Sequence, residues 1–367
     1  MRRVGLARRT LFADRRRLAA SVLGVGAALM LILLLEGLWA GIRAQVTVYE
    51  DNVGADLYVV APGTLNLFAD GSNIPLTTVD RVRATAGVDW AAPVRTTYSI
   101  VDLQGRKEAV AVIGFVPNQH GGPWKLASGR APQADNEIVI DRVLADRHDL
   151  TAGSTITVEG VSLRIVGISR DTAMFMTSLV FVTHHAMDAA LRSPNTTSAV
   201  IVGTADPSAV AASLSASGLT VVTRQRLHAA DLALATNIYG KPLKLMVGVG
   251  VLAGTLVIAL TAYTLVTEQR RDYGVIKALG ASRGRLAALA VEQTFALAAI
   301  GAAASLGLFF GGRAIIEWLR PQFLVLLTGN TILIAGTAAL VMALLAALVP
   351  ARRLNSLDPA SAFRSTT

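Results

Sequence analysis

Four long apolar runs interrupt an otherwise mixed chain: Leu18–Ala40, Leu245–Val266, Leu286–Phe310 and Thr331–Val349. Each is close to the roughly 20 residues needed to cross a hydrocarbon core of about 30 Å. Runs of this length with almost no charge argue against the buried core helices of a soluble enzyme. They predict membrane spans over residues 18–42, 244–267, 286–312 and 331–349. A cleaved signal peptide is a poor reading of the first run, because it exceeds an apolar region of about 7–15 residues. Glu36, Trp39 and Arg43 also stand where small residues would mark cleavage.

Residues 43–243 follow a different rhythm. Short apolar stretches alternate with turn signals in ADLYVVAPG, EAVAVIGFVP, NEIVIDR, STITVEG, VSLRIVGIS and SLVFVT, which predicts short strands. Helical spacing falls between them in TTVDRVRAT, DRVLADRH, HHAMDAALR and DPSAVAASLSASG. The expected fold class is an integral membrane protein: four transmembrane α-helices plus a large extracytoplasmic α+β domain inserted between spans 1 and 2. Arg313, Glu317 and Arg320 mark residues 313–330 as a short external loop with an interfacial helix.

Composition agrees: 53% of the 367 residues are hydrophobic and 16% are charged, against about 25% charged in soluble domains. The net charge of +9 raises the question of nucleic acid, and its distribution answers it. Basic residues gather before the first span (Arg2, Arg3, Arg8, Arg9, Arg15, Arg16, Arg17), in segment 268–285 (Arg270, Arg271, Lys277, Arg283, Arg285) and in the tail 350–367 (Arg352, Arg353, Arg364). Positive charge favours the cytoplasmic side. Both termini and the 268–285 hairpin are therefore expected in the cytoplasm, in a multi-pass protein of the cell (inner) membrane, with no nucleic-acid partner. Residues 1–17 place Val4, Ala7, Leu11 and Leu18 at helical spacing among arginines. That pattern suits an amphipathic helix drawn to anionic lipid.

Several chemical motifs fail on inspection. GASRG at 280–284 has the G-x-S-x-G form, but a nucleophile elbow needs a later histidine and none follows His228. GVGVLA at 248–253 lies inside a span and follows no strand, so it is not a dinucleotide fingerprint. His184 and His185 are adjacent and point about 100° apart on a helix, unlike an i, i+4 metal pair; His120, His148 and His228 stand alone. The chain has no cysteine and no G-x-x-x-x-G-K-[ST], so no thiolate chemistry and no phosphate-cradling loop are expected. No catalytic, metal or cofactor site is assigned, and the chain is read as a non-catalytic subunit. If it uses ATP, another subunit binds it.

Within the spans, Glu36 lies about 27 Å along a helix from Leu18, near the outer boundary. Glu292, about 10 Å beyond Arg285, is the intramembrane candidate, either snorkelling to the interface or facing other helices. The small-xxx-small pairs Gly250/Gly254 and Gly307/Gly311, with Gly37/Gly41, are expected to let helices pack closely in a four-helix bundle that also pairs with a second copy.

The hairpin carries the most specific pattern. In EQRRDYGVIKALGASRGRL, Asp272 can cap a short helix, Tyr273, Ile276 and Leu279 then share a stripe, and Gly280 can end it. A cytoplasmic stripe too short to bury itself needs lipid or a protein groove. The succession Glu268, Arg270, Arg271, Asp272, Gly274, Lys277, Ala278, Leu279, Gly280, Ala281, Ser282 resembles the coupling hairpin of ABC-transporter permeases of the MacB/FtsX superfamily. So do the basic N-terminal stretch and the ending Pro350-Ala351-Arg352-Arg353 with Asp358-Pro359-Ala360. SGRAPQADNEIVID and LTAGSTITVEGVSLRIVGI are similar to the MacB-type periplasmic core domain, and GADLYVVAPG is closest to the DevC-like branch.

The resemblance implies a permease subunit of an ATP-driven ABC transporter. Two copies of a separate ABC ATPase, with ATP and Mg, would dock on Asp272, Tyr273, Gly274, Ile276, Lys277, Leu279, Gly280 and Ser282. It further implies a second permease subunit (homo- or heterodimer), room for an extracytoplasmic accessory protein, and export or external work on a lipid-, lipoprotein- or peptide-like substrate. Two competing readings are an FtsX-like mechanotransmission subunit regulating a cell-wall hydrolase, and a receptor or scaffold with no ATPase.

Overall fold

The computed structural model describes residues 15–103, 105–268 and 281–355. Along the chain, α1 (Arg15–Val46) leads through α2 (Val48–Asn52) to β1 (Leu57–Val60), β2 (Ile74–Pro75) and α3 (Thr78–Arg83). A long hairpin of β3 (Trp90–Leu103) and β4 (Arg106–Phe115) follows, then β5 (Leu126–Gly129), β6 (Glu137–Asp141) and α4 (Arg142–Arg147). Next come β7 (Thr155–Val158), β8 (Val161–Ser169), β9 (Ala173–Met174), β10 (Thr177–Thr183) and α5 (His184–Leu191). The inserted region closes with β11 (Thr196–Thr197), β12 (Ala199–Gly203), α6 (Pro207–Ala216), β13 (Thr220–Thr223) and α7 (Arg224–Ala235). A π-helical turn, Thr236–Gly240, joins α7 to α8 (Lys241–Glu268), which α9 (Arg283–Leu319) and α10 (Gly329–Asn355) follow. These elements form two compact units, one holding Ile42–Ile238 with Arg320–Leu324, the other the remaining segments.

Among the described residues four helices are long and apolar enough to cross a membrane. Their ends differ from the expected ones. The first runs on to Val46, and Arg15–Arg17 already belong to it, so of the expected 1–17 helix only these positions are described. The third runs to Leu319, taking in Arg313 and Glu317, whose side chains pair one turn apart at 2.7 Å. That i, i+4 pair supports continued helix where the sequence suggested a loop, and the irregular connection shrinks to residues 320–328. The second span is preceded by helix from Arg224, giving 45 helical residues, of which the first 12, α7, belong to the inserted domain.

The bundle core is built around α1. Val25, Leu29, Ile32 and Leu33 pack with Ile258 of α8, Leu297 and Phe309 of α9, and Ala338, Met342 and Ala346 of α10. Large apolar residues face outward instead, among them Leu252, Leu256 and Leu260 of α8 and Leu340, Leu344 and Leu348 of α10. Such a distribution suits helices whose association rests on close approach rather than on hiding apolar surface from water.

In the inserted domain an 11-stranded sheet has the order β13-β1-β12-β3-β4-β10-β6-β8-β5, with β7 on β8 and β9 on β10. Pairing is antiparallel except between β4 and β10 and between β6 and β8. The period of two sorts each strand: Leu57 and Val59 face one side, Tyr58 and Val60 the other. On the first side α3 and α6 pack through Val79, Val82, Val210 and Leu214, and α4 and α5 through Leu144, Ala145, Ala186 and Met187. The opposite side packs on Tyr49 and Val53 from α2 and its flank and on Leu227 of α7. The segments adjoining the first and second spans thus share one sheet face. Within the inserted domain each stretch read as strand or helix from the sequence forms one; α2, β2, β3, β5, β9, β11, β12, β13 and α7 are additional.

Candidate coupling site and the buried base of the inserted domain

Of the expected coupling residues, Asp272, Tyr273, Gly274, Ile276, Lys277, Leu279 and Gly280 lie outside the described residues. Ser282 is described, and it stands immediately before α9. Its hydroxyl accepts from the Arg285 amide at 3.4 Å, and its carbonyl accepts from Arg285 and Leu286 amides at 3.0 and 3.3 Å. This is N-cap chemistry: a serine hydroxyl serves one of the donors left open at a helix start. Just beyond, Leu286 and Ala290 of α9 bury against Val266 of α8, with Ala281 packed beside them. The chain therefore leaves α8 and re-enters α9 at one packed pair of helix ends.

The glycines divide. A β-carbon added to Gly250 would meet Ile32 at 3.4 Å, and one added to Gly254 would meet Ala28 at 3.0 Å and collide with Met342, so both face the bundle. Gly307 and Gly311 meet nothing within 4 Å. Their place in close packing within the chain is corrected: Gly301, against Val25, and Gly312, against Leu34, are the third-span glycines that touch α1. At about 100° per residue, 307 and 311 fall on another face from 301 and 312. Gly37 meets Val325 at 3.0 Å. Glu292 is exposed on the outer side of α9, whereas its neighbours Gln293 and Thr294 are buried.

In the inserted unit, the Arg320–Leu324 connection docks on the domain: Gln45 Nε2 donates to the Gln322 carbonyl at 3.0 Å, and Phe323 stacks on Phe175 with centroids 5.7 Å apart. Glu108 takes Arg147 at 2.9 Å and His148 at 3.1 Å, and these donors hold its carboxyl below the ordinary value despite partial burial, the largest single influence, which acts in the opposite direction. Glu137 is gripped by Arg130 and accepts from the Gln133 amide at 3.0 Å; the Arg130 hydrogen bond above all lowers it to about 2.

The sequence offered no sign of the next pair. Glu50 of α2 is wholly buried and Asp231 of α7 nearly so, at 0% and 8% exposure. Asp231 Oδ1 accepts from Asn66 Nδ2 at 2.6 Å, while Oδ2 and both Glu50 oxygens accept no N–H or O–H. Burial, and after it the charge of Asp231, holds Glu50 well above the usual carboxylate range; burial raises Asp231 to about 6.

The histidines each have local work. His185 meets Asp135 at 2.6 Å, His184 meets Asp188 at 3.5 Å, His228 meets Asp51 at 3.8 Å, and His120 stacks on Trp90 at 3.7 Å. No metal-holding group of three His, Cys, Asp or Glu occurs among the described residues.

Comparison with known proteins accounts for both units. Residues 18–217 match the MacB-like periplasmic core domain, and residues 244–359 match the FtsX-like permease C-terminal model. The uncharacterized ABC transporter permease Rv0072 of Mycobacterium tuberculosis is 28% identical over 362 residues, covering 95% of this chain and 96% of that protein. Rv2563 of the same organism, also an uncharacterized ABC transporter permease, is 27% identical over 365 residues, covering 95% and 96%. Among solved structures, the periplasmic region of MacB from Actinobacillus actinomycetemcomitans aligns at TM-score 0.37 and 12% identity, covering 47% of this chain and 90% of that one. With one family model spanning more than half of the chain and a second most of the remainder, the protein belongs to the MacB/FtsX-type ABC transporter permeases.

Proposed function

We propose that this permease subunit is driven by a separate ATPase docking on the cytoplasmic segment Asp272–Ser282. ATP and Mg would be held by that partner, in two copies under a pair of permease subunits. Closure of the ATPases would push on Tyr273, Ile276 and Leu279 and shift the joined ends of α8 and α9. The observation that carries this reading is the burial of Val266 against Leu286 and Ala290 beside the Ser282 cap. A load applied between two packed helix ends moves both helices together instead of bending a loose loop.

The inserted domain is the output in this reading, doing extracytoplasmic work on a lipid-, lipoprotein- or peptide-like substrate. The bundle's cluster of Val, Leu, Ile, Phe, Ala and Met, interrupted by the buried Gln293, Thr294, Ser305 and Thr331, supports external work over passage of a polar solute. Gly307 and Gly311, open to the outside of the bundle, offer a surface for a second permease subunit. The basic N-terminal, hairpin and C-terminal segments support cytoplasmic termini.

Affinity purification of the full chain from its native membrane tests the proposal. Wild type should bring down a P-loop ATPase, and Ile276→Asp or Leu279→Asp should lose it along with function. Retention of the ATPase and of full activity by both variants would contradict it.

A further inference from the structure

The strongest unassigned feature is the carboxyl pair between α2 and α7. As two carboxylates, Glu50 and Asp231 would bury two like charges side by side with three oxygens unserved. None of the ion pairs among the described residues includes either one. One added proton relieves most of this: a protonated Glu50 can donate to Asp231 Oδ2, which serves two of the three oxygens and leaves one Glu50 oxygen without a donor. Close carboxyls of this kind titrate as a pair that cannot both ionise cheaply.

We propose that Glu50 and Asp231 hold a single proton between them and form a pH-operated latch tying α2 to α7. The assignment of the proton follows from the surroundings. Asp231 keeps the Asn66 hydrogen bond, which favours its ionised form, whereas no side chain donates to Glu50 and only its own backbone amide favours its charge. Glu50 is therefore the acid and Asp231 the carboxylate.

The neighbouring charged and titratable groups do not neutralise the pair. On α2, Tyr49 donates its hydroxyl to the Gly121 carbonyl at 3.1 Å, and Asp51 is engaged by Thr47 at 2.8 Å. On β1, the buried Tyr58 hydroxyl finds no partner. Asp70 accepts the Leu65 and Asn66 amides at 2.7 and 2.9 Å, and its charge opposes charge on Asp231. On α7, Arg224 acts on Tyr58, and His228 stands by Asp51.

Both carboxyls bind their proton more tightly folded than unfolded. The stabilisation is complete below the ordinary carboxyl range and is lost as pH rises through about 6 for Asp231 and through the raised range of Glu50. Losing the proton leaves two buried carboxylates and drives α2 from α7. Those helices are the immediate continuations of α1 and the lead into α8. The latch rests on the inserted domain alone, and its test does not require any ATPase.

The test uses the full chain in detergent, followed by thermal unfolding and infrared spectroscopy from about pH 5 to about pH 9, spanning the shifted range. Wild type should lose a few degrees of midpoint per pH unit more than Glu50→Gln, whose amide donates permanently. The limit is a tenfold change in unfolding constant per pH unit for one proton. Wild type should also show a protonated-carboxyl band that disappears in Glu50→Gln. Equal pH slopes in the two proteins, or no band, would overturn the latch. If Glu50→Gln does not accumulate, Asp231→Asn decides: the band should persist but titrate at lower pH, and an unchanged titration would overturn the proposal.

Discussion

Gly301 of α9 lies directly against Val25 of α1, so closely that a β-carbon on the glycine would stand 2.8 Å from the Val25 Cβ and 2.5 Å from its Cγ1. Those atoms sit at the root of a buried, β-branched side chain and cannot swing aside. Gly301→Ala should therefore separate α1 from α9 at a cost of about 1–3 kcal/mol. Gly307→Ala, with open space around it, should leave the unfolding midpoint of the monomer unchanged or slightly raised. Thermal unfolding of the two variants side by side checks both.

This pair also shows where sequence reading stops. Glycine spacing announces that a span packs closely, and Gly250 and Gly254 do face the bundle. It does not say which side of a span that is apolar all round meets a neighbour; in the third span that side carries Gly301 and Gly312. Strands such as EIVID were legible because β-branched runs end at turn residues. The 14-residue β3 was not, since it carries Pro93 and the polar Arg95, Thr96 and Thr97. Arg95 is tolerated inside because Asp188 at 2.6 Å and the Ser193 carbonyl at 2.8 Å receive it, partners far along the chain. Glu50 and Asp231 were hidden for the same reason: their meaning arises only when α2 and α7 reach one sheet face.

Ser282 should matter through its hydroxyl. Ser282→Ala should weaken the first turn of α9 by roughly 1 kcal/mol, as loss of an N-cap does, and Ser282→Asp should restore it. Amide hydrogen exchange at Arg285 reads the effect directly, with faster exchange in the alanine variant alone.

Glu137 gives the inserted domain an acid-sensitive anchor. Its carboxyl is lowered to about 2, first by the Arg130 hydrogen bond. Its contribution is therefore full above the ordinary carboxyl value and lost as pH falls through about 2. Glu137→Gln should lower the unfolding midpoint at neutral pH, because it removes the charged hydrogen bond from Arg130. It should also flatten the acid limb of a stability-against-pH curve.

Phe323 fastens the connection after α9 to the domain by stacking on Phe175. Phe323→Ala should remove about 0.5–1.5 kcal/mol of ring interaction beyond burial and expose residues 320–324 to protease. Because the chain has no cysteine, a Phe175→Cys, Phe323→Cys pair can be tested for crosslinking without background.

The coupling of residues 272–282 to a motor is the claim on which the functional account turns. Its most direct measurement is site-specific crosslinking from position 276 in native membranes, with and without ATP. An adduct to a P-loop ATPase that forms in wild-type background and vanishes with Leu279→Asp is the predicted result. An adduct only to lipid, or labelling of position 276 from outside the cell, would contradict it.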